Sequence, residues 1–333
     1  MSTGIVTTAL CKVFPPRRTP WSWRARGTPV AAVSGLSIAI PAGQVTGLLG
    51  LNGAGKTTTI RMLSTLLRPT SGTATVDGLD VVADARAVRR RINVIAGGER
   101  MVYSRLTGRE NLWYFGQLYD VPRARLRRRV GELLELVGLA AAADTPVERY
   151  SRGMRQRLVI ARGLVNDPAY LLLDEPTLGL DAPIARELRL LVARLAADGV
   201  GVLLTSHYLA EVEQLCRHVH VLDGGRLVAQ GSPAQLVAQT DRQHVLVVTV
   251  GGSVPAAVEA VRAVSRDTGA RLDVDVDEAG RDRLTLRHRD DLAGPVVDAV
   301  VRAGGSIVTV AVTPPTLEDA ILAMSRATPA GVR

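Results

Sequence analysis

The residues best suited to chemistry are Gly50-Leu51-Asn52-Gly53-Ala54-Gly55-Lys56-Thr57-Thr58, which fit the pattern G-x-x-x-x-G-K-[ST] at every fixed position. Three glycines let the main chain turn tightly with its N–H groups pointing inward, and the start of the following helix adds a dipole that favours an anion. Such a loop cradles a phosphate chain. Lys56 supplies positive charge toward the β- and γ-phosphates, and the Thr57 hydroxyl is placed to ligate Mg2+. Only Lys12 and Lys56 among the 41 basic residues are lysines. The chain uses arginine everywhere else, so a lysine here points to chemistry.

A second set of groups lies far downstream. Tyr170-Leu171-Leu172-Leu173-Asp174-Glu175 reads as an apolar strand ending in two acids, where a metal-binding carboxylate belongs in enzymes with this loop. Asp174 is placed to hold Mg2+, directly or through water. Glu175 is placed to act on the attacking water as general base or to orient it. Taken alone, the pair also fits a solvated strand end.

Holding these groups requires a strand, the glycine loop and a helix. Val45-Thr46-Gly47-Leu48-Leu49 has the apolar run of a buried strand, and Thr57 to Leu67 carries apolar residues at helical spacing. Over roughly the first 230 residues, short apolar strands alternate with helical stretches, which predicts an α/β core with a largely parallel sheet. Core strands are expected over Val45–Leu49, Tyr170–Asp174, Val202–Thr205 and Val219–Leu222, with a helical insertion over Arg109–Leu164. The pattern then resets. His244–Val250, Arg271–Val276, Arg283–Arg287 and Ser306–Val312 read as strands, and Pro255–Arg266 and Leu292–Ala303 as helices. That order is β-α-β-β-α-β, closed by a helix over Leu317–Met324. The expected domains are 1–235, with a helical subdomain over about 98–165, and a small α+β domain over 240–333.

At 333 residues, 47% of them hydrophobic, the chain is no disordered protein and is too long for one ordinary core. A net charge of +9 fits nucleic acid, an anionic membrane surface or arginine-rich solvated helices; no aromatic-interleaved basic stretch accompanies it, so no nucleic-acid partner is expected. Cys11 and Cys216 sit far apart in sequence with no partner His or Cys at metal spacing, which fits a reduced cytoplasmic setting. The uncharged stretch from Gly27 to Gly55 is broken by Pro29, Pro41 and glycines, and reads as two strands, a turn at Pro41-Ala42-Gly43 and the loop, not a membrane span. The start of the chain does not read as a signal peptide. Membrane work would pass through another subunit.

With three further segments the chain resembles the ATP-binding cassette family. Tyr150-Ser151-Arg152-Gly153-Met154-Arg155-Gln156-Arg157 is similar to its signature, which usually reads LSGGQ followed by arginines. Leu178-Gly179-Leu180-Asp181 resembles its D-loop, and His207 in Thr205-Ser206-His207 its switch histidine. The resemblance runs to about Gly231 and implies a phosphate-loop cassette fold with ATP and Mg2+ as ligands. It also implies that two cassettes pair head to tail, with Ser151 and the Gly153 N–H meeting the γ-phosphate held by the partner's loop. His207 would contact that phosphate and help position Glu175, and Asp181 would couple the two sites. Singly, Ser151 also fits a plain helix N-cap and His207 a turn histidine. The family stacks an aromatic ring on adenine; Phe14 stands where the first strand ends, with Trp21 and Trp23 as competitors, and each also fits plain packing.

Two departures stand out. The family's Mg2+-sensing glutamine is missing from Ile92-Asn93-Val94-Ile95-Ala96-Gly97-Gly98-Glu99-Arg100; its position falls at Gly98 counted from Leu106, and at Gly97 counted from Ile92. Glu99 is the candidate to replace it as a metal-side or coupling ligand, with a solvated loop acid as the alternative. Arg152 replaces the first signature glycine, while Ser151 and Gly153 remain. Within the family, Arg105-Leu106-Thr107-Gly108-Arg109-Glu110-Asn111-Leu112, the Tyr-Ser-Arg-Gly-Met signature, Ser206-His207-Tyr208-Leu209 and Pro315-Thr316-Leu317-Glu318-Asp319 are similar to the daunorubicin-resistance-like, drug-exporting branch. That implies an ATPase at the cytoplasmic face of the membrane, pairing as a homodimer or with a paralogue and energising separate transmembrane permease subunits, received near Arg100–Tyr119. The alternatives are a cassette ATPase acting on DNA or ribosomes and a phosphate-loop kinase. The first normally carries two cassettes or coiled-coil arms, and the second has no need of Ser151 or His207.

Overall fold

The computed structural model describes residues 4–16, 28–96, 102–239, 243–252 and 254–327; Trp21, Trp23, Gly97, Gly98 and Glu99 lie outside the described residues. The chain divides into two compact units, residues 1–233 and 234–333.

The first unit begins with β1 (Gly4–Phe14), β2 (Val30–Leu36), β3 (Ala39–Pro41), β4 (Val45–Gly50), α1 (Lys56–Leu63), β5 (Ser71–Val76), β6 (Leu79–Asp80), α2 (Ala85–Arg91) and β7 (Ile92–Ala96). A helical stretch follows, α3 (Gly108–Leu118), α4 (Arg123–Leu136) and α5 (Arg152–Gly163). The chain then returns through β8 (Tyr170–Asp174), α6 (Ala182–Ala197), β9 (Gly201–Thr205), α7 (Leu209–Leu215), β10 (His218–Asp223) and β11 (Arg226–Gly231), ahead of α8 (Pro233–Ala238). The central sheet has the order β11-β10-β4-β9-β8-β7. Every pairing from β10 to β7 is parallel, and only the β11 edge is antiparallel. Leu171, Leu172, Leu173, Val202, Leu203 and Leu204 are almost fully buried, as strands covered on both faces must be. Asp174 lies opposite Thr205 in the ladder, and Gly47 opposite Leu204, so β4, β8 and β9 end at one edge. Ligands of open parallel sheets bind at that edge.

Two expectations are corrected. The uncharged stretch before the loop forms three strands, not two, because the chain breaks between Leu36 and Ala39. With β1, β5 and β6, β2 and β3 build a separate antiparallel sheet, whose Ile5, Leu10, Val33, Leu36 and Val76 share a core with Ile60, Met62 and Leu63 of α1. The helix after the loop stops at Leu63 and not Leu67. Thr65 turns left-handed at φ 64°, and the Leu66 and Leu67 amides both return to the Arg61 carbonyl, leaving Leu66 71% exposed.

The second unit runs β12 (His244–Val250), α9 (Pro255–Thr268), β13 (Arg271–Val276), β14 (Asp282–His288), α10 (Ala293–Arg302), β15 (Ile307–Thr313) and α11 (Leu317–Ala327). Its antiparallel sheet has the order β13-β14-β12-β15. Ala257 and Val261 of α9 and Val296 and Val300 of α10 pack on Leu246, Val248, Leu284 and Leu286 in a core of their own. Among the described residues, no helix is long and apolar enough to cross a membrane.

One buried tie between the two sheets of the first unit is testable. The Tyr170 hydroxyl, at the start of β8, donates to Asp77 Oδ1 at 2.6 Å; Asp77 also accepts the Gly4 N–H and pairs with Arg91 at 2.8 Å. Burial pushes the Asp77 carboxyl up, but the bonds from Tyr170, Arg91 and Gly4 outweigh it and hold it below its ordinary value. A depressed carboxyl stabilises the fold above its unfolded pKa of about 3.9, and that contribution disappears as pH falls through the folded value. Tyr170→Phe is expected to lose about 1.5–3 kcal/mol in urea unfolding at neutral pH. The gap to wild type should narrow below about pH 4.

Candidate nucleotide site

The glycine loop spans the end of β4 and the first turn of α1. A Cβ on Gly50 would overlap the Leu222 carbonyl of β10, and one on Gly55, at φ 101°, would strike the Ala32 carbonyl of β2. Only glycine lets the loop lie that close to its neighbours. The first turn of α1 has no acidic residue and no side-chain cap, so its leading amides remain for an anion. Lys56 is 7% exposed, and its Nζ reaches back across the loop to the Gly50 carbonyl at 2.6 Å and the Leu51 carbonyl at 3.2 Å. Burial pulls its pKa down, opposed by the carboxylates of Glu175 and Asp174.

Asp174 joins the loop to the strand ends. Its Oδ2 accepts the Thr57 hydroxyl at 3.1 Å, and its Oδ1 accepts the Thr205 hydroxyl at 2.6 Å. These are hard oxygen donors of the kind Mg2+ takes, with one protein carboxylate and one hydroxyl beside ligand phosphates. The described residues hold no cluster of three or more His, Cys, Asp or Glu that would make an all-protein metal cage. Next in the chain, Glu175 has a left-handed backbone at φ 54°, unusual for a side-chain-bearing residue. Its N–H is fixed by the Thr205 carbonyl at 3.0 Å and the Thr205 hydroxyl at 3.1 Å. The twist aims its side chain at His207, whose Nε2 lies 2.6 Å from Glu175 Oε1.

The signature residues form a second group. Ser151 is the N-cap of α5 and accepts the Met154 N–H at 3.2 Å; a Cβ on Gly153 would clash with the Ile184 side chain. Arg152 Nη1 donates to the Gly179 carbonyl at 2.8 Å, and Gln156 Nε2 to the Pro176 carbonyl at 2.8 Å. The start of α5 is thereby bonded to the loop that leads to Asp181. Asp181 itself occupies the N-cap position of α6 without a side-chain cap bond. Phe14 ends β1, 38% exposed, with the Lys12 ammonium 5.5 Å from its ring centre. Thr205 and Gln156 escaped the sequence reading; Thr205's position just before Ser206-His207, at a strand end, was the available signal.

The glycine loop, the acid-tipped strand on the far side of β9 and a strained glutamate beside a histidine define a nucleoside-triphosphate site of the phosphate-loop class. The ABC transporter family pattern matches residues 33–178. A daunorubicin resistance ATP-binding protein, DrrA3, of Streptomyces coeruleorubidus is 40% identical over 294 residues, covering 87% of this chain and 90% of that protein. The Nod factor export ATP-binding protein I of Ralstonia nicotianae is 45% identical over 206 residues, 62% of this chain and 64% of its own. A solved ATP-binding subunit of an ABC transporter superposes with a TM-score of 0.60 at 27% identity, covering 71% of this chain and 93% of that one. The chain belongs to the ABC transporter family: it is an ATP-binding, ATP-hydrolysing subunit, of the kind that works with separate transmembrane chains.

Thr205 gives the site's own test. Losing a hydrogen bond to a charged carboxylate costs about 1.5–3 kcal/mol, on the order of 10–100-fold if expressed in the transition state. Thr205→Val, which keeps the shape, is expected to lower kcat for ATP by that factor in a phosphate-release assay.

Proposed function

We propose that two ATP-binding chains close head to tail on ATP and drive a drug-exporting permease, with 1–235 as the cassette, about 98–165 as its helical subdomain and 240–333 as an accessory domain. The observation that carries this is the convergence of Thr57, Asp174 and Thr205, with Glu175 against His207, on one edge of the parallel sheet. The loop amides and Lys56 hold the β- and γ-phosphates, and an anion there favours the charged lysine against the burial that pulls its pKa down. Thr57 and Asp174 would hold Mg2+, which when bound offsets charge on the phosphate oxygens. Glu175 takes a proton from water as its oxygen attacks the γ-phosphorus, and the bond to the β-phosphate oxygen breaks to leave ADP. His207 fixes the Glu175 carboxylate, and Phe14 stacks on adenine. Ser151 and the Gly153 amide, at the start of α5, face the partner's γ-phosphate. Asp181 couples the sites.

Relatives named for daunorubicin resistance and Nod factor export support export from the cytoplasmic face as the direction of transport. Drug, lipid or other hydrophobic cargo would meet the permease and not this chain.

The test is the oligomeric state and Mg2+-dependent hydrolysis of wild type beside Glu175→Gln. The variant is expected to lose about 100-fold or more of its rate and to form a stable dimer with ATP. A wild type that binds ATP yet stays monomeric and inactive would overturn the homodimer and leave a paralogue or membrane subunit as the required partner.

A further inference from the structure

Glu211, in α7, is a charged residue at 2% exposure. Its Oε2 accepts the Thr177 hydroxyl at 3.0 Å and the Ser206 hydroxyl at 2.6 Å; Thr177 and Ser206 are themselves 3% and 5% exposed. Thr177 opens the turn to Asp181, since its carbonyl accepts the Leu180 N–H at 3.1 Å. Ser206 adjoins His207, and its Oγ also accepts the Tyr208 N–H at 3.0 Å. A single carboxylate oxygen therefore ties the loop after Glu175 to the loop that carries His207. Burying a carboxylate is costly, and an apolar side chain would fill the space at lower cost, so the acid is there for the bonds it makes. An open cleft of about 280 Å³, bordered by Thr177, Leu180, Arg189, Tyr208 and Glu211, lies beside the tie.

We infer that Glu211 is a positioning residue for hydrolysis, locking the switch-histidine loop to the Asp181 loop so that the two move as one body when the nucleotide site closes. The inference rests on the proposed roles of Glu175, His207 and Asp181. Without the tie, the Asp181 loop shifts without carrying His207, and a misplacement of about 1 Å near reacting groups costs on the order of 100-fold.

The test compares kcat and KM for ATP in full-length Glu211→Ala, Glu211→Gln, Ser206→Ala and Thr177→Val, and adds Glu211→Ala to Glu175→Gln to read ATP-driven dimerisation. Expected are a drop in kcat of about 10–100-fold for Glu211→Ala with KM within about twofold. Glu211→Gln keeps an acceptor oxygen for both hydroxyls and should recover most of the rate, and the double variant should still dimerise. Wild-type kcat in Glu211→Ala overturns the inference, as does a matching loss of ATP binding and dimerisation, which marks a merely structural acid. Should Glu211→Ala fail to fold, the near-isosteric Thr177→Val and Ser206→Ala decide: unchanged kcat in both overturns it. If Glu175→Gln alone fails to dimerise, the pairing falls, while the kcat and KM comparison still judges Glu211.

Discussion

The Asp174 carboxylate is the constraint on which the rest of the first unit depends. Its two oxygens accept hydroxyls from different elements, Thr57 in the first turn of α1 and Thr205 at the end of β9. Both bonds form only if β4, β9 and β8 lie side by side, parallel, and stop at the same level, which their ladders impose. An antiparallel neighbour would send its C-terminal end to the opposite edge. The near-complete burial of these strands follows from the same demand, because a parallel sheet must carry helices on both faces. Thr205 also receives the Glu175 amide, so the strained backbone of Glu175 is over-determined by the residue that orients Asp174.

What the sequence disclosed follows from how strongly each feature is written locally. The glycine loop and the acid-tipped strand were legible because fixed residue types at fixed spacing, with an unbroken apolar run, leave few other conformations. The antiparallel sheet was not. β3 has three residues and β6 two, and β1 pairs with β2 and β5 through register shifts, so no clean period-two pattern reaches the sequence. The end of α1 was hidden because Leu66 and Leu67 continue the apolar spacing, although Leu66 is exposed; the left-handed Thr65 decides the matter and carries no residue-type signal. Thr205 and Glu211 act through long-range hydrogen bonds, and a threonine in a strand or a glutamate in a helix is locally unremarked.

Arg152 shows how a departure from a family pattern finds local support. A cation in the first turn of a helix opposes the dipole that would draw an anion to Ser151 and Gly153. The Gly179 carbonyl accepts from its guanidinium, which draws the charge toward the neighbouring loop and leaves the Ser151 hydroxyl on the Met154 amide. The substitution thus adds a bond between α5 and the Asp181 loop that a glycine could not make.

That bond has a buried companion. Gln156, 7% exposed, donates to the carbonyl of Pro176, the residue directly after Glu175. Because the Glu175 amide is held from the other side by Thr205, the segment from Asp174 to Gly179 is gripped at both ends: by β9 at its start and by α5 at Pro176 and Gly179. α5 therefore holds this segment at two points. Glu175, at the start of this segment, lies 2.6 Å from His207. The backbone that aims Glu175 is thus fixed from two directions, by β9 through Thr205 and by α5 through Gln156 and Arg152.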